Sequence, residues 1–274
     1  MPTFDFPACI ALVEAMTTLA ISAAHEIRRH RPDEGGIRLK SDGSPVTTAD
    51  EAAEALIREG LARLDLEVPV ISEEQAVGNE RDTLSANVIL VDPLDGTREF
   101  IAGRGEYTVN IGLVHNGAPL VGVIAAPVLG LVWRGIVGRG AERLEFSNPE
   151  MPNISPPRRI HTRRRPDGEL LVMTSRSHLD AHTQAYLDAL PHARRIACGS
   201  AVKFCRLAEG DADLYPRLGP THDWDVAAGH AILAAAGGKV MAPGGAPLGY
   251  GSPQFRIPAF IAFGDPLSAN AFTG

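Results

Sequence analysis

The chain has 274 residues, 45% of them hydrophobic, and a formal net charge of −7. That length can bury one large core or two modest ones, and the acidic balance argues against a general nucleic-acid binder. The three cysteines, Cys9, Cys198 and Cys205, are too few and too irregularly spaced for a disulfide framework or a zinc site, so a reducing cytosol fits.

The first predicted element is the apolar stretch 8–24. It holds Glu14 in its middle, follows Asp5 without a basic segment, and is short for a membrane span. A buried first helix is expected, capped by Asp5, with Pro7 in its first turn, and ending near His30. Thr48-Ala-Asp-Glu51 reads as the capping box of a second helix. Ala53, Leu56, Ile57, Gly60, Leu61 and Leu64 then share one helical face. Residues 68–71 form a short strand that ends at Ser72-Glu73-Glu74. A strand at 87–91 ends in Asp92-Pro93-Leu94-Asp95-Gly96-Thr97. A meander follows at 107–115, 120–126 and 131–137, with Asn116-Gly117 as its hairpin signal.

Residues 147–168 are rich in proline, arginine and polar side chains, and 151–168 reads as a linker. Its Arg158, Arg159, Arg163, Arg164 and Arg165 lack interleaved aromatics, so a solvated cluster is expected. Beyond it, strands at 170–174, 212–215, 239–241 and 258–263 alternate with helices at 179–190, 200–209 and 224–236. This is the pattern of an α/β half. The chain thus divides into an α+β half, 1–150, and an α/β half, 169–274.

The chemistry concentrates in acids at strand ends and helix starts: Asp50, Glu73, Glu74, Asp92, Asp95 and Asp225. Any one of them alone could be a helix cap or a dipole partner. Asp92 and Asp95 are different, because the stiff Pro93 turn directs both into one small space. Like charges that close repel unless a cation sits between them, and hard oxygen ligands suit Mg²⁺. Gly96 and Thr97 offer amides and a hydroxyl beside the acids, where an anion could be held. A metal beside an anion site suggests phosphate chemistry.

Four blocks carry a family resemblance: Val46-Thr-Thr-Ala-Asp50, Ile71-Ser-Glu-Glu74, Asp92-Pro-Leu-Asp-Gly-Thr97 and Trp224-Asp-Val-Ala-Ala-Gly229. With them the chain resembles the lithium-sensitive, magnesium-dependent phosphatases of the inositol monophosphatase superfamily. A second set is similar to the bacterial CysQ branch, the 3′(2′),5′-bisphosphate nucleotidases. It comprises Thr97-Arg-Glu-Phe100, Gly105-Glu-Tyr-Thr-Val-Asn-Ile111, Ser175-Arg-Ser-His178, Gly199-Ser-Ala-Val-Lys-Phe-Cys205, Ala208-Glu-Gly210 and Tyr215-Pro-Arg217. Ala201-Val202 departs from that branch, which tends to carry Ser-Leu there.

The resemblance implies a layered α/β/α/β/α sandwich, the inositol monophosphatase and sugar phosphatase fold. It implies hydrolysis of a phosphate monoester, above all the 3′-phosphate of adenosine 3′,5′-bisphosphate, a by-product of sulfate assimilation, or its sulfated precursor. By the same resemblance two or three Mg²⁺ ions per site are held by Glu73, Asp92, the Leu94 carbonyl, Asp95, Asp225 and Asp50. Glu73 and Thr97, with Asp50, would orient the attacking water, and the Gly96 and Thr97 amides would take phosphate oxygens. His178, Ser200, Lys203 and Arg217, in the half that contributes Asp225, would meet the nucleotide or its other phosphate; a solvent-facing Lys203 is the alternative. Inositol monophosphatase or fructose-1,6-bisphosphatase activity, or a non-catalytic binding protein of the same fold, are the competing readings. A small phosphorylated substrate is expected as partner, with no nucleic-acid polymer and no membrane span. The expected state is a monomer or homodimer in the cytoplasm, loosely membrane-associated at most.

Overall fold

The computed structural model describes residues 5–30, 36–40, 43–76, 87–147 and 154–268. Helix α1 (Phe6–Arg29) begins where the Asp5 carboxylate accepts the Ala8 amide at 2.9 Å, with Pro7 in the first turn. By length and composition alone α1 could cross a bilayer. Its inner face, however, with Met16, Ala20, Ala24 and Ile27, is fully buried in the core. Helix α2 (Thr48–Ala62) packs beside it. The capping box sits one residue earlier than the sequence suggests, on Thr47 and Asp50. Asp50 takes both the amide and the hydroxyl of Thr47, at 2.9 and 2.6 Å. Glu51 instead faces outward and pairs with Arg38.

Both helices cover one face of a seven-stranded sheet. Its strands are β1 (Val70–Ser72), β2 (Asn87–Asp95), β3 (Thr108–His115), β4 (Ala118–Ala126), β5 (Leu131–Ile136), β6 (Gly140–Glu145) and β7 (Arg158–Ile160), in that spatial order. The first pair is parallel and the rest are antiparallel. Two short helices, α3 (Glu73–Ala76) and α4 (Thr97–Ile101), leave the ends of β1 and β2. Strand alternation sends Ile89, Val91, Ile111, Leu113, Val121 and Val123 toward α1 and α2. Val88, Leu90 and Val114 point to the opposite face.

The expected linker is partly sheet. Residues 148–153 lie outside the described segments, but β7 pairs with β6 and buries Ile160. Arg163 forks onto Asp213 at 2.8 and 2.7 Å, so it is an anchor and not a solvated charge. Arg158 and Arg159 stay exposed, which is why the segment reads as solvated.

The second sheet runs β9-β8-β10-β12-β11, with β8 (Leu170–Ser175), β9 (Ala193–Cys198), β10 (Leu214–Arg217), β11 (Lys239–Met241) and β12 (Phe260–Phe263). Helix α5 (Ala181–Ala189) covers its outer face through Leu187, against Val172, Leu214 and Phe263. Helices α6 (Val202–Ala208) and α7 (Asp223–Ala235) fill the space between the sheets. The result is the α/β/α/β/α sandwich. Strand β9 has no clear apolar pattern because it is an edge strand with Arg194 and Arg195 in solvent.

Helix α7 lies very close to the first sheet. A Cβ on Gly112 of β3 would stand 2.8 Å from the Ala228 amide, and one on Gly122 of β4 would stand 2.2 Å from the Ala228 carbonyl. Only glycine permits that approach. It brings the start of α7, with Asp225, to the ends of β1 and β2.

Candidate active site

The β2 strand runs through the acidic turn instead of stopping before it. Asp92 pairs with Asn110 and Asp95 with Thr108, so Pro93-Leu94 holds one extra residue in a bulge. The bulge turns both carboxylates to the same side. Asp92 is buried, and its Oδ1 accepts the Leu94 amide at 3.1 Å. Asp95 Oδ2 accepts from Asn110 Nδ2 at 3.3 Å. Gly96 then takes φ +96°, a left-handed value that favours glycine, and Thr97 opens α4.

Three acids from three elements converge here. Glu73 opens α3, Asp92 precedes the bulge of β2, and Asp225 occupies the third position of α7, where its carboxylate accepts the His222 amide at 3.1 Å and the Thr221 hydroxyl. One carboxylate oxygen from each lies within 4.8 Å of the other two. Asp50 stands behind Thr97, whose hydroxyl is 3.1 Å from Asp50 Oδ1 and 3.2 Å from the Leu94 carbonyl.

Burial and crowding leave these acids poorly stabilised as anions. Asp92 is pushed well above the usual carboxylate range by burial, then by Glu73, Asp95 and Asp225. Burial and Asp225 raise Asp95 to about 6. Burial raises Glu73 to about 8, with Lys40 opposing and Asp225 adding to the rise. Asp50 is raised by burial and relieved in part by its bonds to Thr47 and Thr97. Burial alone would lower the Lys40 ammonium, but Glu73 and Glu74 outweigh it and hold it above the usual lysine value. A convergent, all-oxygen donor set that is short of positive charge fits a hard divalent cation.

The acids form the floor of a cleft of about 290 Å³ between the two sheets' strand ends. Glu73, Asp92, Leu94, Asp95, Gly96, Thr97 and Asp225 line it together with His178, Ser200, Lys203 and Arg217. Every sequence-predicted residue except Asp50 and Glu74 therefore borders this cleft. Lys203 is buried rather than solvent-facing. Its Nζ donates to the Cys198 carbonyl at 3.3 Å and to the Ser200 carbonyl, and lies 5.1 Å from the Tyr215 ring centre. An ammonium has three protons, so one is left for a ligand. The helix expected from Ser200 begins at Val202 instead, because Ser200 has φ +46°. The buried Ser200 Oγ has no hydrogen-bond partner among the described residues.

Sequence reading missed Lys40, which bridges Glu73 Oε1 at 2.6 Å and Glu74 Oε1 at 2.7 Å. A lone lysine in a polar segment carries no periodic signal; only its position before the Val46–Asp50 block hints at the site. It also gave no role to Glu99, Glu106 and Arg176, although the blocks quoted above contain all three.

A helix-linked pair of sheets with clustered acids at the strand ends and cations lining the same cleft is the frame of a phosphatase. The chain belongs to the inositol monophosphatase family, whose sequence profile matches residues 11–264. It is 43% identical over 224 residues to the 3′(2′),5′-bisphosphate nucleotidase CysQ of Escherichia coli (strain K12), covering 80% of this chain and 87% of that protein. The CysQ of Buchnera aphidicola is 37% identical over 241 residues, 87% of each. Among solved structures, CysQ from Bacteroides thetaiotaomicron superposes with a TM-score of 0.76 at 33% identity, covering 92% of this chain and 97% of that one. An inositol monophosphatase from Zymomonas mobilis gives 0.77 at 27% identity, covering 97% of each.

Proposed function

We propose that the enzyme removes the 3′-phosphate of adenosine 3′,5′-bisphosphate, leaving AMP, with Mg²⁺ as its cation. One observation carries the reading: a single cleft is lined by an acid cluster, Glu73, Asp92 and Asp225, and by two basic side chains, Lys203 and Arg217. Such a cleft suits a substrate with two phosphates, one at the acid cluster and one at the cations. The CysQ names of the relatives point the same way.

Glu73, Asp92, Asp95, Asp225 and the Leu94 carbonyl are the proposed Mg²⁺ ligands, with Asp50 beside them. Bound there, Mg²⁺ supplies charge that offsets the phosphate and stabilises the attacking and leaving oxygens. The chain's own groups do the positioning. Thr97 commits its proton to Asp50 or Leu94, which leaves its oxygen lone pairs free to accept a hydrogen bond from the attacking water. Glu73 is the second acceptor for that water. The Gly96 and Thr97 amides hold phosphate oxygens. Ser200 Oγ, Lys203, Arg217 and His178 meet the nucleoside and its 5′-phosphate. Lithium is expected to inhibit, and calcium to compete without supporting turnover, because its looser geometry misplaces the reactants.

The test is a ratio. Lys203→Ala and Arg217→Ala should each cost about 1.5–3 kcal/mol against adenosine 3′,5′-bisphosphate, the size of a charged hydrogen bond. That is on the order of 10- to 100-fold in kcat/KM. Adenosine 3′-monophosphate, which lacks the second phosphate, should lose much less. Equal losses on both substrates would remove these residues from 5′-phosphate recognition.

A further inference from the structure

Two charged residues just outside the cleft join segments of the two halves that line it. Glu106 lies between α4 and β3 in the first half. Its Oε2 accepts the Gly199 amide at 2.9 Å and Arg176 Nε at 3.0 Å, while Oε1 accepts Arg176 Nη2 at 2.9 Å. The same Nη2 donates to the Ala197 carbonyl at 2.9 Å. One carboxylate therefore holds the turn after β8, which leads to His178, and the turn after β9, which leads to Ser200 and Lys203.

The backbone packing there is equally tight. A Cβ on Gly199 would stand 2.4 Å from the Glu106 carbonyl oxygen and 3.0 Å from Glu99 Cγ, so only glycine lets that turn rest on the first half. A Cβ on Gly96 would stand 3.3 Å from the same carbonyl and 3.4 Å from Ser200 Cβ. The turn beside the acids and the turn beside the cations thus touch at Glu106. Glu99, buried beneath, takes the Ser177 hydroxyl and holds the neighbouring residue of the same segment.

We infer that Glu106 is a positioning residue for substrate recognition, fixing the distance and register between the acid cluster and the wall formed by His178, Ser200 and Lys203. The inference rests on the bisphosphate reading above, which requires two phosphates to be met at once within the cleft. Neither Glu106 nor Arg176 lines the cleft. The ion pair's side chains are 31% and 35% exposed, so it adds little to global stability and its contribution is geometric. A substrate that meets only the acid cluster does not depend on this register.

The experiment measures Glu106→Gln and Glu106→Ala on adenosine 3′,5′-bisphosphate and on glycerol 2-phosphate, a small monoester that lacks the second phosphate. The expected result is a rise in KM of roughly 10-fold for the bisphosphate in the alanine variant, with kcat within about twofold. The glutamine variant, which keeps an acceptor for Gly199, should fall between wild type and alanine. For glycerol 2-phosphate, kcat/KM should stay within about twofold of wild type, and the melting temperature should barely move. Equal losses on both substrates, or an unchanged KM for the bisphosphate, would overturn the assignment. The wild-type panel separately tests the bisphosphate reading. If the wild type prefers fructose 1,6-bisphosphate, that reading fails, and the same ratio is then taken on the preferred bisphosphate.

Discussion

The Thr97 hydroxyl lies 3.1 Å from Asp50 Oδ1 across 47 positions of sequence, tying the start of α4 to the start of α2. Asp50 is in turn held by both donors of Thr47, so a helix cap and the hydroxyl proposed to orient water share one carboxylate. Replacing Thr97 with valine keeps the shape and removes the hydroxyl. The expected outcome is a fall in kcat of roughly 100-fold, the lower end of what a side chain engaged with the reacting water contributes, with KM changed little. Thr97→Ser should retain most of the activity. Steady-state kinetics on the three proteins decides it, and a Thr97→Val enzyme near wild-type rate would remove the hydroxyl from the reaction.

Asp95→Asn removes one charge from the crowded cluster. The protein without metal should become more stable, because Asp95 is buried beside Asp225 and disfavoured as an anion. Turnover should be largely lost. The stabilisation that Mg²⁺ gives the wild type, which scales with its affinity for the folded state, should shrink. Thermal melts with and without Mg²⁺ report both effects. An unchanged Mg²⁺ response would take Asp95 out of the cation site.

The raised carboxyls set the pH response of the metal-free enzyme. Asp95 is lifted to about 6 and Glu73 to about 8. An acid whose folded pKa exceeds its unfolded value, about 4 for these side chains, binds its proton more tightly in the folded state. The stability it provides is fully present below the unfolded pKa and is lost as pH rises through the folded pKa. Melting temperature in chelator should therefore decline from about pH 4.5 to about pH 8, opposite to ordinary acid denaturation. Saturating Mg²⁺ should flatten the decline. A metal-free melting temperature that climbs across this window contradicts the crowded-acid description.

Gly122→Ala tests how α7 is held. The new methyl would meet the Ala228 carbonyl at 2.2 Å, and both groups belong to rigid elements. Overpacking of this kind costs about 1–3 kcal/mol. The shift of α7 also moves Asp225, so kcat should fall more than the lost stability explains at temperatures where the protein remains folded. Denaturant unfolding and kinetics at low temperature separate the two effects. Full activity together with normal stability would mean that the sheet yields at β4.

Much of this was legible because it depends on local chemistry. The capped start of α1, the Asn116-Gly117 turn with both φ angles positive, and the acids at strand ends and helix starts are short-range signals. The Asp92–Thr97 turn carried the chemistry because its residues are sequence neighbours. What stayed hidden is long-range. Beyond its place before the Val46–Asp50 block, nothing near Lys40 indicates that it reaches Glu73 and Glu74. Strand β7 is announced by one buried side chain, Ile160, among exposed arginines. The Lys203 side chain is buried because carbonyls at the end of β9 and the Tyr215 ring surround it, partners set by tertiary structure. The capping box of α2 was misread by one residue because Thr47 and Thr48 are equivalent in sequence and differ only in which of them meets Asp50.

The most direct measurement is the identity of the nucleotide left when adenosine 3′,5′-bisphosphate is incubated with the enzyme and Mg²⁺, followed by ³¹P NMR. If the acid cluster takes the 3′-phosphate while Lys203 and Arg217 hold the other, the product is adenosine 5′-monophosphate with one equivalent of phosphate, and chelation stops its formation. Accumulation of adenosine 3′-monophosphate, or undiminished turnover after exhaustive chelation, would contradict the account.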